Sequence, residues 1–332
     1  MANPAYANPA AGEVVQILKD EKKVPFLIAA DTHLTETGAL ADILLPMATY
    51  LESWNLETRP AMDLTPFVSI RQPICSPLGK SLAMGDVVLD LGKRLGGDPA
   101  KAMALAKSEE FIDRAASRIE GLSAAGGVQG LKREGVWVQT GVKPAYRSFE
   151  KKGFPTLSGK AEIFSKRLLD RGLPALPVYE PIPAHRDFKE GDLILTVHRV
   201  NVMTPSLGNA KWLAEIFHTN FLWLNPRTAE ARGIREGDPV KVTSKAGTLT
   251  TRVRLSQGVH PRIATLAEGL GHSELGKIAK AKAAKTADLD SGLVWWEKEG
   301  NGVNPRSVIP MDLDPIAGGV AWNDTKITVT KA

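Results

Sequence analysis

From Asp192 the hydropathy pattern turns into short apolar runs cut by glycine turns, unlike the mixed helix-like and strand-like stretches of the first hundred residues, so this chain must combine two folding solutions. Beyond the break, Leu193 to Val197, Phe221 to Leu224, Pro239 to Ser244, Thr248 to Leu255 and Arg262 to Ala267 are each about one strand long. Their even spacing and glycine turns predict a compact, mainly β barrel with a few inserted helices. Ala246-Gly247 reads as a hairpin turn, and Lys326 to Thr330 as a terminal strand. Ahead of the break, Glu13 to Lys19 reads as a short amphipathic helix, Val24 to Ala30 as a buried strand ending at Asp31, and Ala41 to Pro46 as a second apolar run. Met84 to Leu95 places Val87, Val88, Leu91 and Leu95 at helical spacing, which predicts a helix covering one face of that sheet. Such alternation predicts a partial α/β layer. From 97 to 190 the pattern weakens into a helix near Glu109 to Ile119, a turn at Gly126-Gly127 and a proline-rich run from Pro174 to Pro183. The expected organisation is an α/β domain over 1–105, a bridging segment over 106–190 and a barrel domain over 191–332.

At 332 residues the chain exceeds what one hydrophobic core usually supports, in keeping with more than one domain. The 42 Lys and Arg against 37 Asp and Glu leave a charge of +5, with bases and acids interleaved rather than gathered into a stripe, so a nucleic-acid partner is not expected. The single cysteine, Cys75, excludes an intrachain disulfide and any iron–sulfur cluster built wholly from this chain. Lying between Pro73 and Pro77 without a nearby histidine, it reads as a small packed apolar residue. The six histidines lack the i, i+4 pairing of a zinc site, and no G-x-S-x-G elbow supports a hydrolase. No apolar run is long enough to span a bilayer and the opening lacks a leader pattern, so the chain as written is expected in the cytoplasm.

Ligands of open α/β sheets bind at the carboxyl ends of the strands, which makes Thr32 to Gly38 a candidate site carrying Thr35, Glu36 and Thr37. The competing reading is an ordinary loop in which Thr35 or Thr37 caps the next helix.

The segment Asn225-Pro226-Arg227-Thr228-Ala229-Glu230-Ala231-Arg232-Gly233-Ile234-Arg235-Glu236-Gly237-Asp238-Pro239-Val240-Lys241-Val242, followed by Ser244 and Gly247, resembles the dinucleotide-binding domain of the molybdopterin oxidoreductases, the dimethyl sulfoxide reductase superfamily. Its parts are a short helix ending at Gly233, a turn at Glu236-Gly237-Asp238 and a strand. Leu34 to Glu52, Leu157 to Ile163 and Gly271-His272 resemble the same family in the same order. The opening Ala5 to Ala10 and the Asn225 to Asp238 wording are most similar to its tetrathionate, polysulfide and arsenate reductase group. The resemblance implies a Rossmann-like partial sheet followed by a double-psi, aspartate-decarboxylase-like barrel. It also implies a pair of molybdopterin guanine dinucleotides carrying molybdenum, with a four-iron four-sulfur cluster and the molybdenum ligand in an N-terminal half that this sequence does not contain.

Those cofactors carry pyrophosphates, so their site needs positive charge and many donors. The strand ending at Val197 would deliver His198 and Arg199 to its carboxyl end, where a guanidinium engages phosphate in a forked geometry. Family members often have Gly before that Arg, and His198 departs from this. Thr204, Ser206 and Asn209 precede a helix expected over Ala210 to Phe217, with Ser206 or Asn209 as its cap. By the resemblance Asn225 reads a guanine edge or caps the Pro226 helix, Asp238 belongs to the motif turn, His272 contacts pterin or phosphate, and Asn323 belongs to a last contacting turn. Trp295-Trp296 reads as core or interface packing.

The resemblance further implies partners: the N-terminal half of a catalytic subunit, an iron–sulfur electron-transfer subunit and a membrane anchor subunit, with the full-length relative exported to the periplasm. The leading expectation is a cofactor-binding portion of an enzyme that reduces a sulfur- or arsenic-type oxyanion by two electrons, inactive without its other half. A start inside an α/β domain leaves sheet neighbours missing and apolar surface exposed. The alternative is a non-catalytic module that binds a nucleotide-like ligand or serves assembly.

Overall fold

A computed structural model of the chain describes residues 3–62, 64–143, 146–282 and 294–332. Its contacts divide it into two units, Met1–Leu45 with Pro181–Ala332, and Pro46–Glu180. The sequence pattern draws boundaries near 105 and 190, whereas the units divide after 45 and after 180. Hydropathy periods report elements, not which elements share a core.

The opening segment forms α1 (Pro4–Ala7), α2 (Ala11–Lys19), β1 (Ile28–Asp31) and β2 (Ile43–Pro46). β1 and β2 make a two-stranded sheet. The buried strand expected over Val24 to Ala30 is a correction: β1 keeps four residues, and Phe26 and Ile28 are exposed. A sheet of two strands has too few neighbours to cover them. The amide of Ala10 donates to the carbonyl of Ile309, tying this segment to the C-terminal part of its unit.

The second unit holds β3 (Asn55–Pro60), β4 (Pro66–Arg71), α3 (Met84–Leu95), α4 (Gly97–Ala102), α5 (Ser108–Ala116), α6 (Gly127–Glu134), β5 (Val136–Val138), α7 (Ser148–Lys152) and α8 (Lys166–Leu169). β3, β4 and β5 form an antiparallel sheet whose inner face packs Val68 and Ile70 against Ile112 and Ala116 of α5 and Leu131 of α6. α3 has the predicted bounds but not the predicted seat. It packs on α4 and α5, with Gly92 against the side chain of Met103 and Gly85 against Ser108. Cys75, expected to be packed, is exposed in the irregular segment after β4, where no neighbouring strand or helix covers it.

The C-terminal part supplies β6 (Leu193–His198), α9 (Lys211–Ile216), β7 (Leu222–Leu224), α10 (Pro226–Glu230), β8 (Pro239–Thr243), β9 (Thr248–Leu255), β10 (Ile263–Ala267) and β11 (Thr325–Lys331). The six strands close into a barrel in the order β10-β6-β11-β8-β9-β7, so no ladder edge stays open. β6 with β10 and β7 with β9 run parallel, and the other pairs run antiparallel. Strict alternation along β9 sends Leu249, Thr251 and Val253 inward. Leu249 and Val253 join a core with Leu195, Leu222, Leu224, Val240, Val242, Leu266 and Ile327. Each fully buried Leu or Val stabilises the barrel by about 1.5–3 kcal/mol relative to exposure. Gly233, at φ +63, and Gly237, at φ +79, give the motif turn its two left-handed positions.

Candidate functional site

The register of one parallel strand pair builds the site. His198 of β6 lies opposite Ala267 of β10, so the next residues, Arg199 and Glu268, emerge side by side at the carboxyl edge. The amide of Glu268 donates to the carbonyl of His198, closing this end of the ladder. Nε of Arg199 donates to Oε1 of Glu268 at 2.6 Å, and Nη2 of Arg306 donates to Oε2 at 2.6 Å. One carboxylate therefore joins two guanidinium groups, leaving a local excess of one positive charge. The two arginines differ sharply in exposure: the Arg199 side chain is 74% accessible and that of Arg306 only 7%. Among the described residues, the terminal nitrogens of Arg199 and the Nε and Nη1 of Arg306 have no hydrogen-bond partner. The Arg306 guanidinium lies 5.7 Å from the ring centre of Tyr6 and 5.3 Å from that of Trp322, distances at which aromatic faces attract a cation.

Tyr6 leads to a second cluster. Its ring stacks on His272 at 3.7 Å, and its hydroxyl donates to the carbonyl of Leu270 at 2.8 Å. Burial pushes that phenol well above its ordinary range, with the Arg306 charge opposing. His272 is buried between Glu36 Oε1, 3.0 Å from Nδ1, and the Pro205 carbonyl, 3.1 Å from Nε2. Glu36 also accepts from the amides of Ser273 and Glu274 and from Nδ2 of Asn3. Burial alone would raise its carboxyl, but the bonds from His272, Asn3 and Glu274 outweigh it and hold the group at about 2. Thr37 donates its amide and hydroxyl to Oδ1 of Asn3 and accepts from the Ala5 amide. Thr35 accepts from the Gly38 amide, and Leu34 from that of Leu275. The loop and the Gly271-His272 motif, read separately in the sequence, thus interlock.

Thr204 and Ser206 flank Pro205 with exposed hydroxyls 3.2 Å apart. The cap expected of Ser206 or Asn209 is a correction: α9 starts after Ala210 with no side-chain cap. Asn209 instead accepts from the amides of Ile278 and Ala279, in a turn where Gly276 leaves room for it. His198 bonds Thr265 at 2.8 Å and meets the ring of Trp223 edge-on. Burial lowers its pKa, and the Glu268 charge opposes part of that shift. It opens on a cavity of about 290 Å³ walled by Phe217, Phe221, Trp223 and Arg254.

Three further sequence candidates are engaged in holding the backbone. Asn225 caps α10 by accepting from the Arg227 amide and donates to the Val259 carbonyl, so its oxygen and its amide nitrogen are both engaged within the protein. Asp238 accepts from the Arg235 amide and pairs with Lys331, bonds that hold its carboxyl below the usual range. Asn323 accepts from the Val197 amide at 2.9 Å. Trp296 is fully buried while Trp295 is largely exposed. Sequence reasoning missed Asn3, Tyr6, Glu268 and Arg306. A signal for two of them was present: Glu268 follows its apolar run as Arg199 follows its own, and Asn304-Pro305-Arg306 repeats the Asn225-Pro226-Arg227 cap, each Asn accepting from the Arg amide. Among the described residues no group of acidic, His or Cys side chains could hold a metal ion, and no helix is long and apolar enough to cross a membrane.

A closed barrel with a cationic, donor-rich rim at the carboxyl ends of parallel strands has the chemistry to meet an anionic ligand. Residues 193–326, which span the barrel up to the start of β11, match the molydopterin dinucleotide binding domain. Along most of its length the chain is similar to molybdopterin-containing oxidoreductase subunits. It is 24% identical to the thiosulfate reductase molybdopterin-containing subunit PhsA of Salmonella typhimurium, over 95% of this chain and 41% of that one. To the arsenate respiratory reductase molybdopterin-containing subunit ArrA of Chrysiogenes arsenatis it is 26% identical, over 93% of this chain and 43% of the other. The fold resembles that of acetylene hydratase from Pelobacter acetylenicus, with a TM-score of 0.75 at 20% identity, covering all of this chain and 43% of that one. The chain thus spans about two fifths of the length of the relatives it matches.

Proposed function

We propose that this chain is the dinucleotide-binding portion of a molybdenum oxidoreductase that reduces a sulfur- or arsenic-type oxyanion, and that the ligand is molybdopterin guanine dinucleotide. The observation that carries the reading is Arg199, pinned through Nε alone at the strand edge with its two terminal nitrogens left open. A fork of that kind matches two oxygens of a pyrophosphate. The hydroxyls of Thr204 and Ser206 are further donors, and His198 with the aromatic cavity beside it offers a flat, partly apolar wall. Arg306 and Glu268 neutralise one another beneath this surface, so the positive charge left over belongs to the exposed Arg199, where an anion can meet it. Thr35, Glu36, Thr37 and His272 act as the brace that fixes the 268–276 segment. Asn225 and Asp238 are left to hold α10 and the motif turn. When bound, the cofactor would supply the two-electron chemistry, while this chain orients it and neutralises its phosphates.

The two parallel pairs within an otherwise antiparallel barrel support the double-psi reading. The two-stranded β1–β2 sheet with exposed Ile28, Ile43 and Leu44 supports the view that further protein covers it, supplied by a half that carries the cluster and the molybdenum ligand. Electron-transfer and anchor subunits, and export, belong to the same reading. The test is co-expression with the adjacent coding region, purification through a tag on this chain, and assay of molybdenum and guanine nucleotide. Near one molybdenum per complex, and none on the chain alone, is the expected result. A pure preparation lacking both would overturn the reading in favour of a binding or assembly module.

A further inference from the structure

We infer that Glu268 is the positioning residue of the anion site: its carboxylate, locked from beneath by Arg306, holds the Arg199 guanidinium with both terminal nitrogens presented to a diphosphate. The inference rests on the reading of Arg199 as a cofactor contact and adds a residue that never touches the ligand. Three observations carry it. The parallel register places residues 199 and 268 next to each other, so their pairing follows from the backbone rather than from a chance meeting of surface side chains. Glu268 is 7% exposed although it binds an arginine that is largely in solvent, so the carboxylate is a fixed point and the guanidinium the movable part. Arg306, itself 6% exposed and lying 5.7 Å and 5.3 Å from the ring centres of Tyr6 and Trp322, bonds the other carboxylate oxygen and keeps that fixed point from turning. An exposed arginine loses rotamer freedom when it grips a ligand, and an arginine already held through Nε loses less.

Positioning and simple electrostatics predict opposite signs for one substitution. Glu268→Gln removes a negative charge beside the anion site, so Coulomb's law alone makes anion binding tighter. The two arginines bind different carboxylate oxygens, and an amide puts a donor NH2 in place of one of them, so positioning makes binding weaker. The probe is guanosine diphosphate, titrated calorimetrically into the full 332-residue chain. Glu268→Gln is expected to weaken binding by about fivefold to tenfold, and Arg199→Gln by about tenfold, the scale of one charge-assisted bond. Because Glu268 acts through Arg199, the double variant should bind no more weakly than Arg199→Gln alone, a non-additivity that general loosening of the fold would not produce. Arg306→Lys keeps the charge and loosens only the lock, so it should show a smaller loss of the same sign. It also serves as the readout if thermal melting shows that Glu268→Gln does not fold. Unchanged or tighter binding by Glu268→Gln, or additive losses in the double variant, overturns the positioning role while leaving the cofactor reading intact. Absence of guanosine diphosphate binding by the unaltered chain overturns both.

Discussion

Oε1 of Glu36 lies 3.0 Å from Nδ1 of His272 across 236 residues of sequence, and the contact is buried on both sides. A carboxyl held at about 2 when folded titrates near its ordinary 4.5 when unfolded. Its contribution is therefore fully present above the unfolded value and is lost as pH falls through the folded one. Glu36→Gln should lower stability at neutral pH by about 2–3 kcal/mol, since the amide cannot accept from Asn3, His272 and two backbone amides together. Urea denaturation between pH 5 and pH 2 checks this: the natural chain should lose stability steeply over that window, and the variant should show a flatter profile.

Gly271 immediately precedes His272 at φ +74, and a Cβ there would come within 2.3 Å of the backbone at Val303 and Asn304. Backbone cannot yield as a flexible side chain does. Gly271→Ala should cost about 3 kcal/mol or more, combining left-handed strain with overpacking. Gly258→Ala is the control, because that position has ordinary φ and its nearest atom is a serine hydroxyl at 3.4 Å. Equal melting temperatures for the two variants would contradict the argument.

Much of the barrel was legible because its physics is local. Alternation in Thr248 to Leu255 gives a half-buried strand directly, and Gly247 marks the turn that separates it from the strand before. The site was legible only in part. Arg199 could be found as the residue delivered by a strand end, but its partner could not, since adjacency of Arg199 and Glu268 depends on β6 choosing β10 as a parallel neighbour. The same holds for Asn3 and Tyr6, whose short α1 has no hydropathy period at all. β3 escaped because Asn55-Leu56-Glu57-Thr58-Arg59 has a single strongly apolar residue and is recognisable as a strand only once β4 is beside it.

His198 carries opposing influences that one variant can separate. Burial lowers its pKa, while the Glu268 carboxylate raises it. In the folded protein the ring should therefore titrate below an exposed histidine, and Glu268→Gln should move the midpoint lower still. Because the folded state then binds fewer protons than the unfolded state, this residue adds stability as pH rises through the histidine range. Two-dimensional NMR of the ring nitrogens gives the midpoint directly, and an upward move in the variant would show that Glu268 is not the charge His198 senses.

Asn225 offers a way to separate scaffold from ligand contact in the segment most typical of the family. Its Oδ1 accepts from Arg227 and its Nδ2 donates to Val259, so replacement by Ala strands an amide at the start of α10 and a carbonyl after β9. Loss of the cap and of the buried bond together should destabilise by about 2 kcal/mol. An amide already occupied on both sides has nothing further to offer a guanine edge, so folded Asn225→Ala should bind guanosine diphosphate as the natural chain does. A denaturation curve shifted to lower urea with an unchanged calorimetric isotherm is the expected pair of results. An unshifted curve with weakened binding would move Asn225 from the scaffold to the ligand surface, and would mean that the side chain turns outward when the dinucleotide arrives.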